Sequence, residues 1–77
     1  MKLNEAISKR IRQLLYENTL TKYQLFLKSG VAPSTLSKII NLKCKTVKAD
    51  TLFAIAQGFG LTLSQFFDSG FFEEISD

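Results

Sequence analysis

Residues 21–39 read T-K-Y-Q-L-F-L-K-S-G-V-A-P-S-T-L-S-K-I, and this stretch decides the fold. Gly30 is free to adopt a positive φ angle, and Pro33 suits the first turn of a helix, where its missing N–H costs nothing. Leu36 and Ile39 follow at a three-residue spacing that turns both side chains inward. The pattern predicts two short helices joined by a tight turn, which is the arrangement of a helix-turn-helix.

The second of these helices is predicted to hold a polar face outward. Ser34, Thr35 and Lys38 would lie on it, and such side chains can bond the edges of bases in the major groove of DNA. This face lacks the Arg, Gln or Asn residues that make two-pronged, base-specific contacts. We therefore predict a DNA-binding surface whose specificity draws much on the shape of the duplex.

The charge of the chain is divided unevenly along its length. Residues 1–48 carry all ten Lys and Arg residues against Glu5 and Glu17, a net charge of +8, whereas residues 49–77 carry five acidic residues and no cation, a net charge of −5. Two oppositely charged, merely solvated surfaces would give the same numbers. Because the basic half coincides with the helix-turn-helix pattern, we interpret it as the side that meets a polyanion.

The composition argues against several other functions. With no His and a single cysteine, Cys44, the chain offers no metal site and no His-based catalysis, and we expect neither an enzyme nor a cofactor. Nothing in the sequence points to a small-molecule substrate. No apolar run approaches the roughly 20 residues that cross a membrane. We expect a protein of the cytoplasm, associated with the nucleoid.

The whole chain is predicted to form five helices and no strand, over residues 4–17, 22–29, 33–41, 49–58 and a short segment after Thr62. Thr21 with Gln24 and Thr62 with Gln65 match the T-x-x-Q capping box. Asn18 is expected to end the first helix in a left-handed conformation. Further expectations are that Lys9, Arg10 and Arg12 lie mostly on the outer side of the first helix and that Phe53 faces the core.

The C-terminal third of the chain is rich in phenylalanine. Five of the seven Phe residues lie between positions 59 and 72. A domain this small cannot easily bury them all, and exposed apolar patches often mark interfaces. We expect residues 1–68 to form the helix-turn-helix domain and residues 69–77 an apolar, acidic tail with a possible dimer contact. The candidate dimer residues are Phe59, Phe66, Phe67, Phe71 and Phe72. The alternative is that Phe71 and Phe72 fold back over the domain's own core.

Four motifs follow one another along the chain: L-T-x-x-x-L from Leu20 to Leu25, S-G-V from Ser29, S-T-L-S-x-I from Ser34, and the closing block D-T-L-x-x-I-A-x-x-x-G-L-T-L-S-x-F-F from Asp50 to Phe67. In this order and at this spacing they resemble the Cro and phage-repressor type of helix-turn-helix protein, the Xre-like family. The resemblance covers about residues 5–68. It implies an all-α, lambda-repressor-like bundle of five helices that binds double-stranded DNA as a homodimer.

The resemblance also implies which residues meet DNA. The start of the second helix would contact a phosphate, the third helix would address the major groove, and the lysines after it would approach the backbone or minor groove. The candidate DNA contacts are Thr21, Lys22, Pro33, Ser34, Thr35, Lys38, Lys43, Lys45 and Lys48.

The chain also departs from the family pattern. Phe26 stands where the family usually keeps Ala, Leu42 replaces a common Gly, and Val47 replaces a common Pro. Leu15 and Ile40 occupy positions at which relatives often pair Arg with Glu. The function that we expect is that of a dimeric, sequence-specific transcriptional regulator, a repressor of bacterial or phage genes. The alternative is a protein-interaction module, antitoxin-like or anti-repressor, that binds its partner through the Phe-rich face.

Overall fold

The structure is a computed structural model that describes residues 1–76. Within these residues the chain is all-helical, as predicted, with no strand. Its helices are α1 (Leu3–Glu17), α2 (Lys22–Ser29), α3 (Pro33–Ile40), α4 (Ala49–Gly58) and α5 (Leu63–Phe67), followed by a 3₁₀ helix (Gly70–Glu74).

The core lies where the helices meet, with α1 packed on α3 and α2 packed on both α3 and α4. Its buried apolar residues come from all five α-helices: Ala6, Ile7, Ile11, Leu14, Leu25, Leu36, Ile39, Ile40, Leu52, Ile55, Ala56 and Phe66. Such burial is the main source of stability in a domain of this size. Phe53 is an exception to the predicted inward face of α4, because 47% of it is exposed.

The starts of α2 and α5 are fixed by the two predicted capping boxes. Thr21 Oγ1 accepts a hydrogen bond from the Gln24 N–H at 3.1 Å, and Gln24 Oε1 accepts one from the Thr21 N–H at 2.9 Å. Thr62 and Gln65 repeat both bonds at the start of α5. These reciprocal bonds satisfy N–H groups that have no partner within the helix. The prediction of two capping boxes is therefore confirmed.

The helix α1 ends differently from the prediction. Asn18 has a φ of −95°, and the left-handed residue is Thr19, with a φ of 54°. The Leu20 N–H reaches back to the Leu15 carbonyl at 2.9 Å, as in a Schellman motif. Asn18 contributes through its side chain, which donates to the Leu14 carbonyl at 2.8 Å. The motif thus imposes a left-handed residue one position later than expected.

Arg10 is the second correction to the predicted outer face of α1. It is only 9% exposed, and its guanidinium bonds two carbonyl oxygens of α5, those of Phe66 at 2.7 Å and Gln65 at 2.9 Å. Its Nη1 group donates to Gln13 Oε1 at 2.8 Å. A buried charge is tolerated here because each of the three guanidinium nitrogens donates a hydrogen bond, and because the C-terminal end of a helix attracts cations. Lys9 and Arg12 are exposed.

The C-terminal segment packs against α1. The 3₁₀ helix contacts α1, and Phe72 packs on the core with its ring centroid 4.8 Å from that of Phe67. The Ser76 N–H donates to the Met1 carbonyl at 3.0 Å. For Phe72 the structure thus agrees with the fold-back alternative. Phe66 is fully buried and so offers no surface to a partner, in contrast to its assignment to the dimer face.

Candidate nucleic-acid interface

The pair α2 and α3 forms the predicted helix-turn-helix. Gly30 ends α2 with a φ of 77°, the conformation for which glycine was expected at this position. Leu25 of α2 and Leu36 of α3 are both fully buried, so both helices are anchored in one shared core. Pro33 opens α3, and Ala32 before it provides no side-chain cap. The turn therefore leaves the N-terminal part of α3 at the surface.

All the candidate DNA contacts are exposed to solvent. This holds for the residues of the α2 start, of α3 and of the segment that follows α3: Thr21, Lys22, Pro33, Ser34, Thr35, Lys38, Lys43, Lys45 and Lys48. Contact with a duplex requires this exposure.

Three of these residues meet at one cleft. Thr35 and Lys38 of α3 and Lys48 at the start of α4 line a cavity of about 330 Å³. Ile39 and Val47 line its apolar part. Two ammonium groups and hydroxyls around one hollow can bond phosphate oxygens, and its α3 side carries the groups that can reach base edges. We call this hollow the α3–α4 cleft.

The other lysines are arranged less compactly than the sequence implied. Lys45 lines a separate cavity of about 310 Å³, together with Leu3 and Phe67. Lys43 is tied to α3 through its backbone N–H, which donates to the Lys38 carbonyl at 2.8 Å. Thr21 lines a third hollow beside Tyr16. The lysine-rich segment after α3 therefore spans two clefts.

Sequence reasoning missed three residues near this surface. Thr46 and Thr51 line the α3–α4 cleft with the predicted residues, and their hydroxyls add donors. Asp50 lines a neighbouring hollow that Thr35 also reaches, and it accepts the Thr51 N–H at 2.8 Å. The run T-V-K-A-D-T at residues 46–51 was the available signal, but only the tertiary structure brings it beside Thr35.

Residues 1–76 contain neither a metal-binding cluster nor a membrane-spanning helix. No group of three or more His, Cys, Asp or Glu residues there is arranged to hold a metal ion. Over the same residues, no helix combines the length and the apolar character needed to span a membrane.

Comparison with known proteins identifies the family. Neither the curated proteins nor the solved structures yielded a match. A family model described as Helix-turn-helix matches residues 9–66, which include all of α2, α3 and α4. The chain therefore belongs to the helix-turn-helix family of the Cro/C1, Xre-like type, a family of DNA-binding regulatory domains.

Proposed function

We propose that this protein is a sequence-specific transcriptional regulator, a dimeric repressor that reads the major groove with α3. The observation that carries the proposal is the α3–α4 cleft, where Thr35, Lys38 and Lys48 are all exposed around one hollow. Lys38 can bond the O6 and N7 atoms of guanine, and the Thr35 methyl can contact that of thymine. Lys48 adds a phosphate contact beside them.

The charge distribution supports binding by this side of the molecule. All ten Lys and Arg residues precede α4, so α4 and the 3₁₀ helix carry acidic residues and no cation. A duplex approaching α3 is attracted by the basic part and repelled by the acidic part, which orients the encounter. Neutralising phosphates releases counterions, so we expect affinity to fall steeply with salt. A regulator of this kind would act in the cytoplasm, at the nucleoid.

A second copy of the chain would dock on an apolar groove beside α5. Leu3 and Phe67 are 42% and 36% exposed, and they line one hollow with Val47 and Leu52. Phe71 also keeps part of its surface, whereas Phe59 and Phe72 pack against the core. We propose that Phe67 and Phe71 contact the second copy and that Phe59, Phe66 and Phe72 support them from within. Two copies of α3 would then address half-sites about 34 Å apart.

The test is a selection of bound duplexes from a random DNA pool, followed by measurement of the dissociation constant across a salt series. The proposal expects a pseudo-palindromic motif with half-sites one helical turn apart. Lys38→Ala should weaken binding to the selected duplex more than binding to a scrambled one. Steep salt dependence without any motif would reduce the function to non-specific DNA association.

The exposed groove also keeps the second function open. A partner protein could occupy the Leu3–Phe67 groove in place of a second copy, with DNA binding weak or secondary. Absence of binding to any duplex at low salt, by a folded protein, would favour this interaction module over the regulator.

A further inference from the structure

Two side chains of α1 bond one backbone atom at the C-terminal end of α3. The last four carbonyl groups of α3, those of residues 37–40, have no partner within the helix. Backbone N–H groups of residues 41–43 bond the first three. The fourth carbonyl, that of Ile40, accepts instead from Ser8 Oγ at 2.6 Å and from Arg12 Nη2 at 2.9 Å. Both donors belong to α1.

These two donors suit their acceptor. Ser8 and Arg12 are four residues apart and therefore share one face of α1. The Ser8 hydroxyl is buried, with 3% exposure, so its bond to Ile40 is shielded from water. Arg12 brings a positive charge to the negative end of the α3 dipole, and hydrogen bonds from charged donors are the stronger kind.

Hydrogen bonds can fix the orientation of α3 on α1, which apolar contacts alone do not fix. Leu36, Ile39 and Ile40 anchor α3 in the core, but apolar burial is non-directional and tolerates small sliding or rotation. Hydrogen bonds weaken steeply once their angle is poor. Because α3 has only eight residues, fixing the Ile40 carbonyl fixes where Thr35 and Lys38 stand on the surface.

We propose that Ser8 and Arg12 are positioning residues. They hold α3 in the orientation and at the position along α1 that its base contacts require. The inference rests on the proposed function, since it concerns how α3 reads DNA. Neither residue need touch the duplex. Their loss should therefore reduce discrimination between sequences more than it reduces binding to DNA in general.

The chain supplies a matched control in Arg10. It lies two residues before Arg12 on α1. Its guanidinium donates to two carbonyl oxygens at the C-terminal end of another helix, those of Gln65 and Phe66 in α5. Residues two apart do not share a helix face, so the two arginines serve different neighbours. Arg10→Met should cost stability without altering how α3 reads DNA.

The experiment compares Ser8→Ala, Arg12→Met and Arg10→Met with the unchanged protein. The readout is the ratio of dissociation constants for a selected and a scrambled duplex, measured where denaturation curves show all four proteins folded. We expect the ratio to fall about tenfold in Arg12→Met, which corresponds to about 1.4 kcal/mol, and to fall in Ser8→Ala as well. We expect it to stay unchanged in Arg10→Met. Ser8→Ala alters no charge, so its effect cannot arise from a lost phosphate contact.

Three results would overturn the inference. The ratio could be unchanged in both Ser8→Ala and Arg12→Met, or Arg10→Met could lower it equally, which would indicate general loosening. Arg12→Met could instead weaken both duplexes alike with a shallower salt dependence, which would make Arg12 a phosphate contact. Failure of the unchanged protein to bind any duplex is a different result, because it would refute the proposed function itself.

Discussion

Gly58 of α4 lies directly against Ser29 of α2. A Cβ atom added at Gly58 would stand 2.8 Å from the Ser29 Cβ and 3.0 Å from Leu25 Cδ1, closer than such atoms pack. The absence of a side chain at Gly58 therefore allows α2 and α4 to pack closely. Helix propensity alone would make a glycine at this position only a slightly weaker helix former than alanine.

Gly58→Ala should accordingly destabilise the protein. Alanine favours a helix by about 1 kcal/mol over glycine, but overpacking a close contact costs about 1–3 kcal/mol. We expect a net loss in the free energy of unfolding, measured by chemical denaturation. Gln57→Ala, at the exposed neighbouring position, is the control and should change stability little. A gain in stability from Gly58→Ala would contradict the contact.

Leu42→Gly should have the opposite effect. Leu42 follows α3 with a φ of 60°, a conformation that costs a residue with a Cβ about 1–2 kcal/mol. Its side chain is 45% exposed, so little packing is lost with it. We expect Leu42→Gly to raise the unfolding free energy by about 1 kcal/mol.

Gly60→Ala is the reverse substitution, and the same denaturation measurement should show a loss of stability. Gly60 has a φ of 74° and no atom within 4 Å of an added Cβ, so this variant reports the backbone cost alone. Loss of stability in Leu42→Gly would show that the Leu42 side chain, and not its strain, decides the balance.

Lys48→Ala tests the role assigned to the α3–α4 cleft. Lys48 precedes α4 without a side-chain bond to its first turn, so the change leaves the helix cap intact. We expect weaker binding to all duplexes alike, with the salt dependence reduced by about one phosphate contact. Lys28→Ala is the matched control, since Lys28 lies beside Gln57 and Gly60 at the other end of α4. Equal effects of the two substitutions would argue that net charge alone drives binding.

Phe67→Ser tests the proposed dimer groove. The side chain is partly exposed and lines the groove with Leu3, so its removal should shift the protein towards monomer at a given concentration. Sedimentation equilibrium measures the molar mass directly. Phe53→Ser is the control, because Phe53 is also exposed, at 47%, but does not line that groove. A Phe67→Ser protein that dimerises as before would place the interface elsewhere.

The sequence by itself determined the helices and their order. Capping boxes, Pro33 and Gly30 are local signals, since each acts on backbone groups within a few residues, and the structure has helix boundaries close to those predicted. The helix-turn-helix and its family also followed from local spacing, and the family model confirms them. The exposed α3 face is part of the same local pattern.

Only the tertiary structure decided which residues are buried, and which are bonded, where one helix packs against another. Arg10 looked like a surface cation until α5 brought two carbonyl oxygens to it, and Phe66 looked like an interface residue until α1 and the 3₁₀ helix enclosed it. The side chains of Leu15 and Ile40 form no polar pair, yet the Ile40 carbonyl binds two donors of α1. Every residue has a backbone carbonyl group, so no sequence pattern predicts which one accepts such a bond. Only the packing of one helix against another creates it.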